Sequence, residues 1–285
     1  MLYAMLYYNI YYNIMKTNIS EEILGLRFKY FINDCMASNS VGVKKEWEPH
    51  ITKFTQLYNS LFNIKNIIDI GANFGYHTLL FSQVCSENVY AFEPQSQSFK
   101  LLEDNVEINK IKNVILYNYA CGDENCDVKM PVFINCDNTI NMGDITPNLG
   151  DFSSSSITKS IILDQFNFSS KIDLIKLDVQ GWEKKVLMGA TTLLKIHKPV
   201  LIVEFECFQL EKTNTTCKEL FDFIRDQDYY IFYLEYSYPC DHVCVHINNL
   251  TEFRLKFENN ILPHTENNHL NNNLINGVNE KIVIC

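Results

Sequence analysis

The 285-residue chain has no run of Lys and Arg long enough to track a phosphate backbone, and its formal net charge is −10. Nucleic acid recruits clustered cations, so this balance argues against a nucleic-acid binder and favours small or neutral partners. Ten cysteines are present, but no CxxC occurs, and their scatter matches neither a disulfide framework nor zinc-type spacing with histidine. Reduced thiols in a cytoplasmic protein, several of them filling core positions, are the expectation. A stretch of about 20 apolar residues is also lacking, so no membrane span is expected. The opening MLYAMLYYNIYYNIMKTN has neither a positive n-region nor a small-residue cleavage site, which argues against a signal peptide. It reads as a low-complexity extension, with Met15 an alternative start. At the other end, nine asparagines fall between Asn259 and Asn279, a compositional bias without a packing pattern.

What is present is an ordinary globular balance, 47% hydrophobic and 20% charged, in which strands alternate with helices. Apolar spacing predicts helices from Ser20 to about Met36 and from His50 to Phe62. Strands are then predicted at Asn66–Ile70, Asn88–Pro94, Asn113–Ala120, Ile172–Val179 and Pro199–Glu206. YYIFYLE and HVCVHI supply the last two, and helices fill the intervals. Asp123 to Phe166 is less regular and reads as hairpins over one end of the sheet. Near-continuously apolar strands joined by helical crossovers predict a doubly wound α/β domain with its sheet covered on both faces.

The segment IIDIGANFGYHT, Ile67 to Thr78, lies at the first strand-to-helix turn. Ligands of such sheets bind outside the carboxyl ends of the strands, where strand order reverses. Gly71 and Gly75 permit close backbone approach there, and the following helix offers free N–H groups. A dinucleotide fingerprint would read GxGxxG, but Asn73 stands where its middle glycine would be and Asp69 brings negative charge. A cofactor without phosphates and with a cationic centre fits better, and S-adenosylmethionine has both properties. Glu93 ends the second strand about 20 residues on, where an acid accepts hydrogen bonds from ribose hydroxyls.

DIGANFGYHT, AFEP, LDVQGWEKKVLMGA and PVLIVEFE, in this order from Trp47 to His246, resemble the FkbM family of S-adenosylmethionine-dependent methyltransferases. The resemblance implies a Rossmann-like methyltransferase fold, a mostly parallel seven-stranded sheet with an antiparallel last strand. It implies methyl transfer to oxygen, with a sugar, glycan or related small molecule as acceptor. It marks Asp69, Gly71, Ala72, Asn73, Gly75, Thr78 and Glu93 as cofactor positions, with Glu48 of WEPHI and Cys121 and Asp123 of ACGD as further candidates. On this reading residues 20–257 form the methyltransferase domain, with a helical preamble and a core at 64–250, between an extension at 1–19 and a tail at 258–285.

Asp178 ends the fourth strand and Glu204 and Glu206 end the fifth, so Asp178 and Glu204 are expected to face each other across the pocket mouth. Two such carboxylates make either a raised-pKa base or a hard-metal site, and the sequence leaves a divalent metal open. Asp178, Glu204 and Glu183 are the candidates for catalysis. Glu183 reads equally as a helix cap, Gln180 as an acceptor contact or part of the turn, Gly181 as a backbone necessity and Trp182 as packing. His50 and His77 fall near the binding edge, where a lone histidine is more often structural. Asn141–Asp144 and Ser153–Ser156 lie in the irregular stretch expected to set substrate specificity. Two other readings stand beside methyl transfer, a nicotinamide-dependent oxidoreductase and a non-catalytic scaffold that binds S-adenosylmethionine.

Overall fold

The computed structural model describes residues 15–133, 140–149, 154–168, 170–234, 241–263 and 280–283. The strands are β1 (Thr17–Ile19), β2 (Lys29–Phe31), β3 (Asn66–Ile70), β4 (Asn88–Phe92), β5 (Val114–Tyr117), β6 (Ala120–Cys121) and β7 (Cys126–Pro131). They continue with β8 (Ser155–Ile161), β9 (Leu174–Leu177), β10 (Val200–Glu204), β11 (Tyr229–Leu234), β12 (Asp241–His246), β13 (Ile261–Pro263) and β14 (Glu280–Ile282). The main helices are α1 (Pro49–Phe62), α2 (Tyr76–Val84), α3 (Ser96–Ile108) and α4 (Glu183–Met188). After them come α5 (Thr191–His197), α6 (Cys207–Lys212), α7 (Cys217–Asp226) and α8 (Ile247–Lys256).

Nine of these strands form one mixed sheet in the order β13-β14-β11-β12-β10-β9-β3-β4-β5. From β10 to β5 every pairing is parallel, whereas β12 runs antiparallel to both β10 and β11. The seven-strand expectation is therefore corrected to nine, because β13 and β14, from the segment read as a tail, extend the edge beside β11. Strand order reverses between β3 and β9, which places a topological switch point at their carboxyl ends.

Alternation along the strands sends side chains to two cores. Ile68, Ile70, Ile175, Leu177, Leu201 and Val203 face α4, α5 and α7. Ile67, Val89, Leu174, Val200, Ile202 and Val243 face α1 and α8. No helix among the described residues is long and apolar enough to cross a membrane.

The predicted helix over 20–36 does not form. Leu24 and Gly25 take positive φ (+50° and +79°), and the chain turns back on itself between Ile23 and Leu26. It then runs extended through β2, paired antiparallel with β1. Asn105 of α3 and Asn109, which caps that helix, complete the backbone bonding there. Asn105 Oδ1 accepts from the Lys29 N–H (2.5 Å) and its Nδ2 donates to Lys29 O (2.9 Å). Asn109 does the same for Arg27, at 2.9 and 2.7 Å. Phe28, Tyr30 and Phe31 are buried against Phe74, Tyr76 and Leu102, so the apolar residues are core in an extended segment. The predicted third strand also divides, ending as β5 at Tyr117 and resuming as β6 in a separate sheet of order β6-β8-β7. The Asp123–Phe166 stretch thus carries a small sheet with β8 at its centre.

Candidate active site

At the switch point the backbones of β3 and β9 come so close that only glycine fits. Gly71 has φ +81°, and a Cβ on it would lie 1.7 Å from the Asp178 carbonyl oxygen. The Gly71 and Ala72 N–H groups both donate to Phe92 O at 3.0 Å, tying the turn to the end of β4. Asn73 follows in the left-handed region (φ +51°). Its N–H donates to Glu93 Oε2 and the Gln95 N–H to Glu93 Oε1, both at 2.8 Å. Burial pushes the Glu93 carboxyl up to about 7; the two N–H donors oppose this, and Asp69 and Asp178 add to it. Gly75 (φ +93°) lies against Leu102, where a Cβ would approach to 2.4 Å. It therefore sets helix packing and does not line the cavity described below. Thr78 likewise stands back, its Oγ1 donating to Asp69 Oδ2 at 2.5 Å.

Lys176, absent from the candidates read in the sequence, is 2% exposed and sits in register beside Asp69. Its Nζ donates to Asp178 Oδ2 at 3.1 Å. Burial pulls its pKa down, but the charges of Asp178, Asp69 and Glu48 outweigh this and leave it raised. The available signal was a lysine inside the otherwise apolar LIKL, a position a strand buried on both faces fills only when the charge is paired. Glu48, in the left-handed region (φ +42°), meets His77 Nε2 at 2.8 Å. Burial raises its carboxyl, yet the His77 hydrogen bond and the charges of His77, Lys176 and His50 prevail and bring it to about 2.

Across the mouth, Gln180 Nε2 donates to Asp178 Oδ1 at 2.8 Å and to Glu204 Oε2 at 3.1 Å, bridging the two acids. Burial holds the Glu204 carboxyl well above its ordinary range, reinforced by Asp178, Asp241, Glu183 and Glu48. Behind it, in register on β12, Asp241 Oδ2 lies 2.6 Å from His50 Nε2. Burial raises Asp241 as well, against the His50 hydrogen bond. Glu183 is placed otherwise. It is 1% exposed, and its Oε1 accepts from the Val179 and Gly181 N–H groups at 3.1 and 3.2 Å. Burial pushes it up to about 7. It secures the turn from within and does not line the cavity. Gly181 (φ +98°) is required by the α6 backbone, since a Cβ would lie 2.2 Å from Gln209 O.

These elements enclose a cavity of about 310 Å³ between Gly71, Asn73 and Glu93 on one side and Asp178, Gln180 and Glu204 on the other. That is a size in which small ligands are held. A side recess of about 30 Å³ shares Trp47, Glu48, Gly71, Asn73 and Asp178 with it and adds Asp69, Ala72 and Lys176. Asn141–Asp144 forms part of the cavity wall, anchored where Gln209 Nε2 donates to Asp144 Oδ1 at 2.5 Å. Cys121, its thiol pushed up by burial, also reaches the cavity, whereas Asp123 is exposed and does not. Trp182 is buried with Ala120 and Val128 and also borders the cavity. Ser153 lies outside the described residues, and Ser154–Ser156 do not reach the cavity. Among the described residues no group of three or more His, Cys, Asp and Glu side chains is placed to hold a metal ion.

A crystal structure of methyltransferase FkbM from Methylobacillus flagellatus KT is similar to this chain at 16% identity and a TM-score of 0.46. The match covers 66% of this chain and 47% of that one, so the chain spans about half the length of that relative. A second similar structure is M. jannaschii TYW2 in complex with AdoMet, at 15% identity and a TM-score of 0.41, covering 81% of this chain and 84% of that one. No curated protein matches the chain. The methyltransferase FkbM domain model matches residues 69–231, which is more than half of the sequence and runs from the β3 acid Asp69 through both strand-end acids into β11. The chain belongs to the FkbM methyltransferase domain family.

Proposed function

We propose that this protein is an S-adenosylmethionine-dependent O-methyltransferase whose acceptor is a hydroxyl of a sugar, glycan or related small molecule. The observation that carries the proposal is the cavity at the β3/β9 switch point, with Glu93 on one side and the Asp178–Glu204 pair on the other. The residues fit the cofactor. Asp69 Oδ1 is buried with no hydrogen-bond partner among the described residues, and it borders the recess beside Gly71. A buried acceptor of that kind calls for a donor or a cation. Glu93 stands where ribose hydroxyls are accepted, and Gly71, Ala72 and Asn73 form the cradle between them. When bound, the cofactor supplies a methyl group activated on a sulfonium. We set the nicotinamide alternative aside, because Asn73 occupies room that a pyrophosphate would need and its N–H is committed to Glu93.

An acceptor hydroxyl has a proton to lose, and Glu204 is the group we assign to take it. Burial and the neighbouring acids raise its pKa, which makes it a stronger base than an ordinary carboxylate, and Gln180 fixes its Oε2. Asp178 has Lys176 on one oxygen and Gln180 on the other, so it orients Gln180 and presents a fixed charge to the acceptor side. The Asn141–Asp144 wall is the part we assign to acceptor choice.

The test is a screen of hydroxylated acceptors for S-adenosylhomocysteine release, with and without a chelator, followed by Glu204→Gln on the best acceptor. The variant should lower kcat about 100-fold or more while leaving cofactor affinity within about threefold. Turnover unchanged in the variant would remove Glu204 from the mechanism.

A further inference from the structure

We infer that Cys207 and Cys217 form a reversible disulfide site that staples the start of α6 to the start of α7. None of the described cysteines is in a disulfide, yet Cys207 Sγ and Cys217 Sγ stand 2.6 Å apart. No other two cysteines among the described residues are drawn together in this way. Each is the first residue of its helix, and the intervening turn is short, so closing the bond needs no movement of a distant element. The site stands independently of the methyl-transfer reading.

The placement gives the bond a consequence. α6 is the helix on which the Asp178–Gly181 turn rests. Gly181 packs on the Gln209 carbonyl, Thr213 Oγ1 donates to Gly181 O at 2.6 Å, and Gln209 holds Asp144 of the cavity wall. The residue before Cys207 is Glu206, itself on the cavity wall. A covalent tie at the start of α6 therefore fixes the base of that wall.

The chemistry balances with a peroxide as oxidant. Cys207 is half-buried and Cys217 buried, so the Cys207 sulfur meets the oxidant first. It attacks the peroxide O–O bond, which breaks with loss of water and leaves a sulfenic acid. The Cys217 sulfur then attacks Cys207 Sγ, the S–O bond breaks and a second water leaves. Two thiols lose two protons and two electrons in all, and the peroxide is reduced to water. A dithiol reductant reverses the step by exchange. Burial raises the Cys207 thiol, so oxidation should quicken as pH rises and the thiolate fills.

The full chain, treated with hydrogen peroxide, alkylated and digested with trypsin without reduction, provides the test. Cleavage after Lys212 and Lys218 puts Cys217 in the peptide Thr213–Lys218 and Cys207 in a separate one ending at Lys212. The expected result is a single species joining these two peptides, lost on dithiothreitol treatment. Oxidised wild type should melt about 5 °C or more above reduced wild type. That difference should vanish in Cys207→Ser and in Cys217→Ala, and either variant alone suffices. Recovery of both peptides separately alkylated from folded, peroxide-treated protein would overturn the inference. So would Cys207 or Cys217 joined to any other cysteine in its place.

Discussion

Glu93, Glu183 and Glu204 are three carboxyls that burial pushes upward, and each is held differently. Glu183 shows what that costs the fold. Its carboxyl binds a proton more tightly in the folded chain, near 7, than at the ordinary 4.5 of an unfolded one. The stability it contributes is full below about pH 4.5 and is lost as pH rises through about 7, a loss of about 3 kcal/mol. Glu183→Gln keeps an oxygen for the Val179 and Gly181 N–H groups and removes the titration. Melting curves at pH 5 and pH 8 should then lie closer together in the variant, and an unaltered pH dependence would count against this assignment. At this scale the sequence was legible where position alone speaks. Asp69, Glu93, Asp178 and Glu204 all end or nearly end strands at the binding edge. The pairs His50–Asp241 and His77–Glu48 were not legible as pairs, because their partners lie far apart in the chain and meet only through the fold. Lys176 is not legible as a site residue from Asp178 alone, because Asp69 and Glu48, which also hold its charge, reach it only through the fold.

Among the elements, the β3 and β9 ends are the pair that shapes the site. The Gly71 position meets backbone, which cannot swing aside as a side chain can. Gly71→Ala should therefore destabilise by about 3 kcal/mol or more, combining a collision with a φ that L residues rarely adopt. Urea denaturation monitors this, and wild-type stability in the variant would mean the strand ends part freely. The strands flanking the cavity were readable from apolar runs bounded by turn residues. From Ser20 to Met36 the spaced apolar residues fit a helical face, yet the segment turns at Leu24–Gly25 and runs extended. What decided otherwise was Gly25 in a tight turn and the backbone pairing offered by Asn105 and Asn109, a partner that no local pattern announces.

For the whole molecule, the two added strands complete an edge. Ile282 on β14 is fully buried with Phe232, Leu234 and Phe257. Glu280 meets both the Arg254 guanidinium and, at 2.7 Å, the Tyr230 hydroxyl. Asparagine bias hid this contribution, since composition around Glu280–Ile282 gives a short strand no period to show. Ile282→Ala should cost about 2–4 kcal/mol, seen as a lower urea midpoint with an unchanged slope. A neutral effect would mean that β14 adds little to the sheet.

The proposed function rests on one ligand in one cavity, and calorimetric titration with S-adenosylmethionine tests that most directly. Wild type should bind it and do so more tightly at pH 8 than at pH 6. Glu93, raised to about 7, must be ionised to accept the ribose hydroxyls on both oxygens. Glu93→Gln should weaken binding about tenfold at pH 8 and abolish the difference between the two pH values. Wild-type protein that gives no binding at either pH would contradict the assignment of this cavity.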